Sequence, residues 1–171
     1  MQRDYVLETG GLSPYALHRF VYTLTEGDPR PLFAAEGDTA VVRTAADLSA
    51  HAVEVRDPVP VEPGLYLFEL DATVSFKRDG VRVYPPSRDR EARERWLTRQ
   101  AERHGFEVLS VRIEGRKRLV DKPERTFALD STSFIGVLRV TDADRFSAAL
   151  AGGVGKTGKA YGSGLLRIER I

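Results

Sequence analysis

Proton-transfer chemistry has few places to start in this chain. It carries three histidines, His18, His51 and His104, and no cysteine. An unperturbed imidazole titrates near pH 6.5, about where a group must titrate to give or take a proton near neutrality. His18 lies in "SPYALHRFVYTL", three residues after Tyr15, so a helix would set both side chains on one face. A single histidine in a helix is more often packed than reactive, and the spacing alone leaves its role open.

The second chemical feature is "AGGVGKTGKAYGSGLLRI", residues 151–168. Its Gly155-Lys156-Thr157 triplet matches the end of a phosphate loop, but that loop needs a glycine five residues earlier, where this chain has Leu150. The context is inverted as well. A phosphate loop feeds a helix whose free amides receive the anion, whereas here a helical pattern precedes the glycines and a strand pattern follows. Two readings remain: a glycine turn built for close packing, or a backbone surface for RNA with Lys156 and Lys159 on phosphates.

The cations are unevenly spread. "RIEGRKRLVDKPER" gathers Arg112, Arg116, Lys117, Arg118, Lys122 and Arg125 in one segment, although the whole chain is balanced at +1. That net charge does not suit non-specific coating of nucleic acid, which takes a strongly basic domain. A basic hairpin could still follow the backbone of an A-form stem, which proteins read by shape and phosphate. Histidine–glutamate metal spacings are absent, and no metal or other cofactor is expected. No apolar run approaches twenty residues, so no membrane span or leader is expected, and the cysteine-free chain suits a reducing cytoplasm.

The elements that must hold these residues alternate between β and α. "DYVLETGG" is a strand; Ser13-Pro14 then starts a helix, with Ser as cap and Pro in the first turn. Leu17, Phe20, Val21 and Leu24 give that helix one apolar face. A hairpin is expected around Glu36-Gly37-Asp38, a short helix at Asp47–Ala52, a strand in "LYLFELDATVSF" and a turn at Arg78-Asp79-Gly80. Pro85-Pro86 marks the expected mid-chain boundary. Beyond it come a charged helix from Ser87 to Gly105, with Trp96 and Leu97 inward and Arg90/Glu94 and Glu91/Arg95 paired outside. Two long strands, a helix capped by Asp142, and a last strand "GLLRIERI" follow. This order predicts an α+β protein of two tandem ferredoxin-like (RRM-like) domains, 1–86 with Tyr15 and His18, and 87–171 with the basic hairpin and glycine-rich loop.

Gly153-Val154-Gly155, a basic spacer, then Gly162-Ser163-Gly164-Leu165-Leu166 resembles the glycine signature of the CasE endoribonucleases. These are the guide-RNA-processing subunits of the type I-E Cascade complex, in the RAMP superfamily. "PYALHRFVYTL" is similar to that family's first helix, "RERWLTRQAERHGFEV" to its Trp-Leu helix, and "FIGVLRVTDADRFSAALAGGVG" to the approach to its glycine loop. The resemblance implies metal-independent cleavage of a CRISPR repeat hairpin in precursor crRNA, ending in a 2′,3′-cyclic phosphate. It implies His18 and Tyr15 as catalytic residues. For RNA binding it implies Arg116, Lys117, Arg118, Lys122, Gly153, Gly155, Lys156, Lys159, Gly162 and Gly164. The partners implied are the repeat RNA and other Cascade subunits.

Overall fold

A computed structural model describes residues 1–171. Strand β1 (Arg3–Glu8), helix α1 (Pro14–Leu24), β2 (Leu32–Glu36), β3 (Thr39–Thr44) and β4 (Ala52–Arg56) build a four-stranded antiparallel sheet in the order β2-β3-β1-β4. The start of α1 is as expected: the Ser13 hydroxyl accepts from the Ala16 amide at 3.3 Å and Pro14 opens the helix. Leu17 and Val21 then bury against Tyr5, Leu7, Phe33 and Val42. The short helix expected at Asp47–Ala52 is only a turn, closed by His51 and Ala52 amides on the Leu48 carbonyl. Leu48, with Ala46 and Ala52 beside it, fills the place a helix face would cover.

The second sheet has the order β10-β5-β9-β8, from β5 (Gly64–Ala72), β8 (Phe106–Asp121), β9 (Thr126–Val140) and β10 (Leu166–Arg170). With α2 (Arg90–His104) and α3 (Ala143–Gly152) its chain order is βαββαβ, and the fourth, first, third and second strands lie side by side. Both sheets share that ferredoxin-like order, and in the first unit a turn stands between β3 and β4 where the second unit has a helix. One face of the second sheet packs Tyr66, Phe68, Leu70, Phe134 and Leu138 against Trp96, Leu97 and Phe146.

Pro85-Pro86 does not separate the sheets. Strand β5 pairs with both β9 and β10, so residues 64–72 belong with the second sheet although they precede those prolines. The prolines instead close a small hairpin, β6 (Phe76–Arg78) and β7 (Val81–Val83), whose Asp79-Gly80 tip is the expected turn. We place the division in the proline-punctuated segment 57–63, where the chain leaves one sheet for the other. Helix α2 begins two residues later than expected, because Asp89 rather than Ser87 caps it, accepting from the Ala92 amide at 3.0 Å. No helix is long and apolar enough to cross a membrane.

The two units are joined through the face of the first sheet opposite α1, where Val6, Leu32, Ala34 and Val41 meet Leu165. Arg43 fixes the contact. It grips Asp4 through two bonds of 2.6 and 2.7 Å and donates across the interface to the Leu150 and Leu166 carbonyls at 2.9 and 3.0 Å. The two side chains are only 13% and 18% exposed, so deleting one strands the other in a poorly solvated place. Arg43→Ala should lower unfolding free energy by about 3 kcal/mol in a denaturant titration, and Arg43→Met with Asp4→Leu should recover much of the loss.

Candidate functional site

Helix α1 lies against the β8–β9 ribbon and against a 3-10 turn, Lys159–Tyr161, from the glycine-rich segment. His18 projects between them, half-buried. Its Nδ1 is 2.9 Å from the Ala160 carbonyl oxygen. A carbonyl only accepts, so Nδ1 carries a proton and Nε2 is the nitrogen left for a ligand. Aromatic rings fix the imidazole plane, with Tyr22 at 4.5 Å, Tyr161 at 5.3 Å and Tyr15 at 6.4 Å between ring centres. An open depression of about 400 Å³ is lined by His18, Arg19, Tyr22, Thr23 and Glu26. The structure therefore brings Tyr15 and His18 together as their spacing implied. It adds Arg19 and Tyr22, whose only sequence signal is their place one and four residues beyond the histidine. His51 sits exposed on the β3–β4 turn. His104 ends α2, where burial and the neighbouring Arg103 and Lys159 push its imidazole below the usual range.

Strand geometry sorts the basic segment. Alternation puts Arg116 and Arg118 on one face of the ribbon and Lys117 on the other. Arg116 and Lys117 are exposed, and Lys122 is half-exposed at the 122–125 turn. Arg118 is different: it turns inward, and Nη2 donates to the Tyr161 carbonyl. Burial, then repulsion from Arg116, depresses its pKa. Its Nη2 is thus engaged by the protein itself.

The glycine-rich segment is a wedge. Gly153, Gly162 and Gly164, expected at an RNA surface, are buried. A side chain at Gly153 would run into Leu32 of β2 and one at Gly155 into Trp96 of α2, and one at Gly162 would press tightly on Phe33. Gly158 has φ +78°, and a methyl group there would collide with Thr73 Oγ1 and Ser163 Oγ. Close packing is thus what most of these glycines serve. Lys159 is also committed: its ammonium donates to the Gly152 carbonyl at 2.8 Å, closing the end of α3. Its pKa is lowered by burial and then by Arg30. Lys156 stays exposed.

Further cations lie near the far end of this loop. Thr157 Oγ1 is 3.2 Å from Ser75 Oγ, which accepts from Arg82 at 2.6 Å. Lys77, Arg78, Arg95 and Arg99 line a neighbouring cavity of about 420 Å³ with Tyr84. "FKRDGVRV" showed its turn in the sequence but not this clustering. On α2, Arg90–Glu94 and Arg95–Glu91 pair at 2.9 and 3.7 Å as expected, with Trp96 and Leu97 buried. Arg93 is only 1% exposed. It holds Thr132, Asp130 and the Pro86 and Asp89 carbonyls at 2.7–3.0 Å.

Paired ferredoxin-like units, wedged together by a glycine-rich loop that meets a histidine on the first helix, define the class of this protein. A model of the family described as CRISPR associated protein matches residues 7–170, and the chain belongs to that family. The fold is similar to a structure of CRISPR endoribonuclease Cse3 bound to 19 nt RNA, with 23% identity, 99% of this chain and 100% of that chain covered, and a TM-score of 0.79. Thermus thermophilus Cse3, bound to an RNA representing a pre-cleavage complex, is 24% identical over 98% of each chain, with a TM-score of 0.76. Cas6e from Escherichia coli K-12 is 19% identical over the full length of both, with a TM-score of 0.77. No curated protein matches the sequence.

Gly158→Ala should lower unfolding free energy by about 2–3 kcal/mol, from the left-handed backbone and the collision together. Gly152→Ala, where a methyl meets open space, should leave it nearly unchanged. Denaturant unfolding of the two variants side by side measures the contrast.

Proposed function

We propose that this protein is a metal-independent endoribonuclease that binds the hairpin of a CRISPR repeat and cuts precursor crRNA into guide RNAs. One observation carries the reading: His18 is held by Nδ1 on the Ala160 carbonyl, which leaves Nε2 without a protein partner, and His18 and Arg19 line one open depression. Membership of the family and the fold shared with RNA-bound Cse3 support it.

In the reaction, the 2′-oxygen of the nucleotide before the cut attacks phosphorus. The P–O5′ bond breaks, and the products are a 2′,3′-cyclic phosphate and a 5′-hydroxyl. One proton leaves the 2′-hydroxyl and one reaches the departing O5′, and neither transfer calls for a metal. His18 Nε2 serves one of these transfers. Tyr15 orients the phosphate, and Arg19 places positive charge beside the phosphoryl oxygens as their charge grows. Arg116, Lys117, Lys122 and Lys156 supply contacts to phosphates of the stem, which position RNA without reading its sequence. Gly155, half-buried beside Lys156, brings main chain close to the same surface. The cut RNA would stay bound and carry the protein into a cytoplasmic ribonucleoprotein, since the fold also matches chains of a CRISPR RNA-guided surveillance complex.

Labelled CRISPR-repeat stem-loop RNA incubated with the protein in EDTA should be cut to a single pair of products with a cyclic phosphate end. His18→Ala should slow cutting by about a hundredfold or more while still binding the RNA. Tight binding without any cutting by the wild type would make the protein a non-catalytic RNA-binding subunit instead.

A further inference from the structure

The turn that orients His18 is hinged on glycines. It is three residues long, flanked by Gly158 and Gly162 at φ +78° and +88°. Its own bonds are Tyr161 N and Ser163 N to Gly158 O at 3.0 and 3.1 Å, a long Gly162 N to Lys159 O contact at 3.4 Å, and the Lys159 ammonium on Gly152 O at 2.8 Å. Left-handed glycines make such a turn possible without favouring one orientation of its carbonyls. Two side chains grip it from outside. His18 donates to the Ala160 carbonyl from α1, and Arg118 donates to the next carbonyl, that of Tyr161, from β8. The Tyr161 ring then lies between His18 and Phe127, 5.3 and 5.7 Å from their centres. Phe127 stands opposite Val120 in the β8–β9 ladder, two residues beyond Arg118.

We propose, resting on the function above, that Arg118 is a positioning residue for His18. By holding the Tyr161 carbonyl it aims the Ala160 carbonyl at Nδ1, so that the ring carries its resting proton on Nδ1 and presents Nε2 to the RNA. Arg118 comes from the most basic run in the chain, yet its work is within the protein. Its Nη2 is spent on the Tyr161 carbonyl, and its Nε is buried away from solvent. Without it the two carbonyls swing on their glycine hinges, and the imidazole loses the acceptor that selects its tautomer. Arg116 is the fitting control, because it shares the ribbon face with Arg118 and is exposed.

The test separates orientation from RNA grip. At saturating stem-loop RNA, Arg118→Ala should cut about tenfold to a hundredfold more slowly. Its affinity, measured in a His18→Ala background, should change by less than about threefold. Arg118→Gln keeps a donor without the charge and should regain most of the rate. In the free protein, nitrogen NMR of the His18 ring should report a proton on Nδ1 in the wild type and in Arg118→Gln, and its redistribution in Arg118→Ala. The proposal is overturned if Arg118→Ala loses affinity as Arg116→Ala does while keeping its saturated rate, or if the ring protonation pattern is unchanged. Should Arg118→Ala fail to fold, Arg118→Met retains the apolar stem and carries the same comparison. A wild type that cuts nothing defeats the proposed function, and the ring-nitrogen signals still decide the role of Arg118.

Discussion

Main chain from Gly153 to Gly164 runs through a space that side chains could not share. On one side are Leu32 and Phe33 of the first sheet, and on the other Trp96 and Thr73 of the second unit. A polypeptide can pass so close only where Cβ atoms are missing, and a buried main chain must find partners for its amides. Val154 N bonds Gly164 O, and Gly164 N bonds Asp71 O, at 2.9 and 2.7 Å. The loop is thereby tied to β5, and the turn it carries is set against α1. The interface, the placement of His18 and the inward aim of Arg118 all follow from that passage.

The same constraint explains why the basic residues separate into two kinds. Cations whose ends reach water, such as Arg116, Lys117 and Lys156, keep their full hydration and can exchange it for phosphate. Those drawn inward, Arg43, Arg93, Arg118 and Lys159, donate to carbonyls or carboxylates of the protein instead. A guanidinium, with five donors in one plane, suits this bridging of main-chain carbonyls better than a hydroxyl or amide would. The near-neutral charge of the chain thus conceals a few cations whose charge is structural.

Local signals in the sequence were strong where the cause was local. Ser13-Pro14 started α1, Asp142 capped α3, and the Asp79-Gly80 turn lay where its residue types placed it. Pro85-Pro86 misled because they end only the small β6–β7 hairpin; the strand that crosses the expected boundary, β5, is assigned to its sheet by long-range pairing with β9 and β10. The Tyr15–His18 spacing was legible, since one helix holds both. Arg118 was not, because its partner is the carbonyl of a residue 43 positions away, and a backbone carbonyl has no identity in a sequence. Arg93 was hidden for the same reason among the ion pairs of α2, and the packing role of the glycines depended on neighbours from both units.

His18 and the carbonyl that orients it are separated by 142 positions in the chain. A ribosome delivers the first helix long before the turn that receives it. During that interval the first unit can gather its own core around Val21 and Phe33 while its imidazole has no fixed acceptor. The ring is therefore oriented only once the two halves have come together.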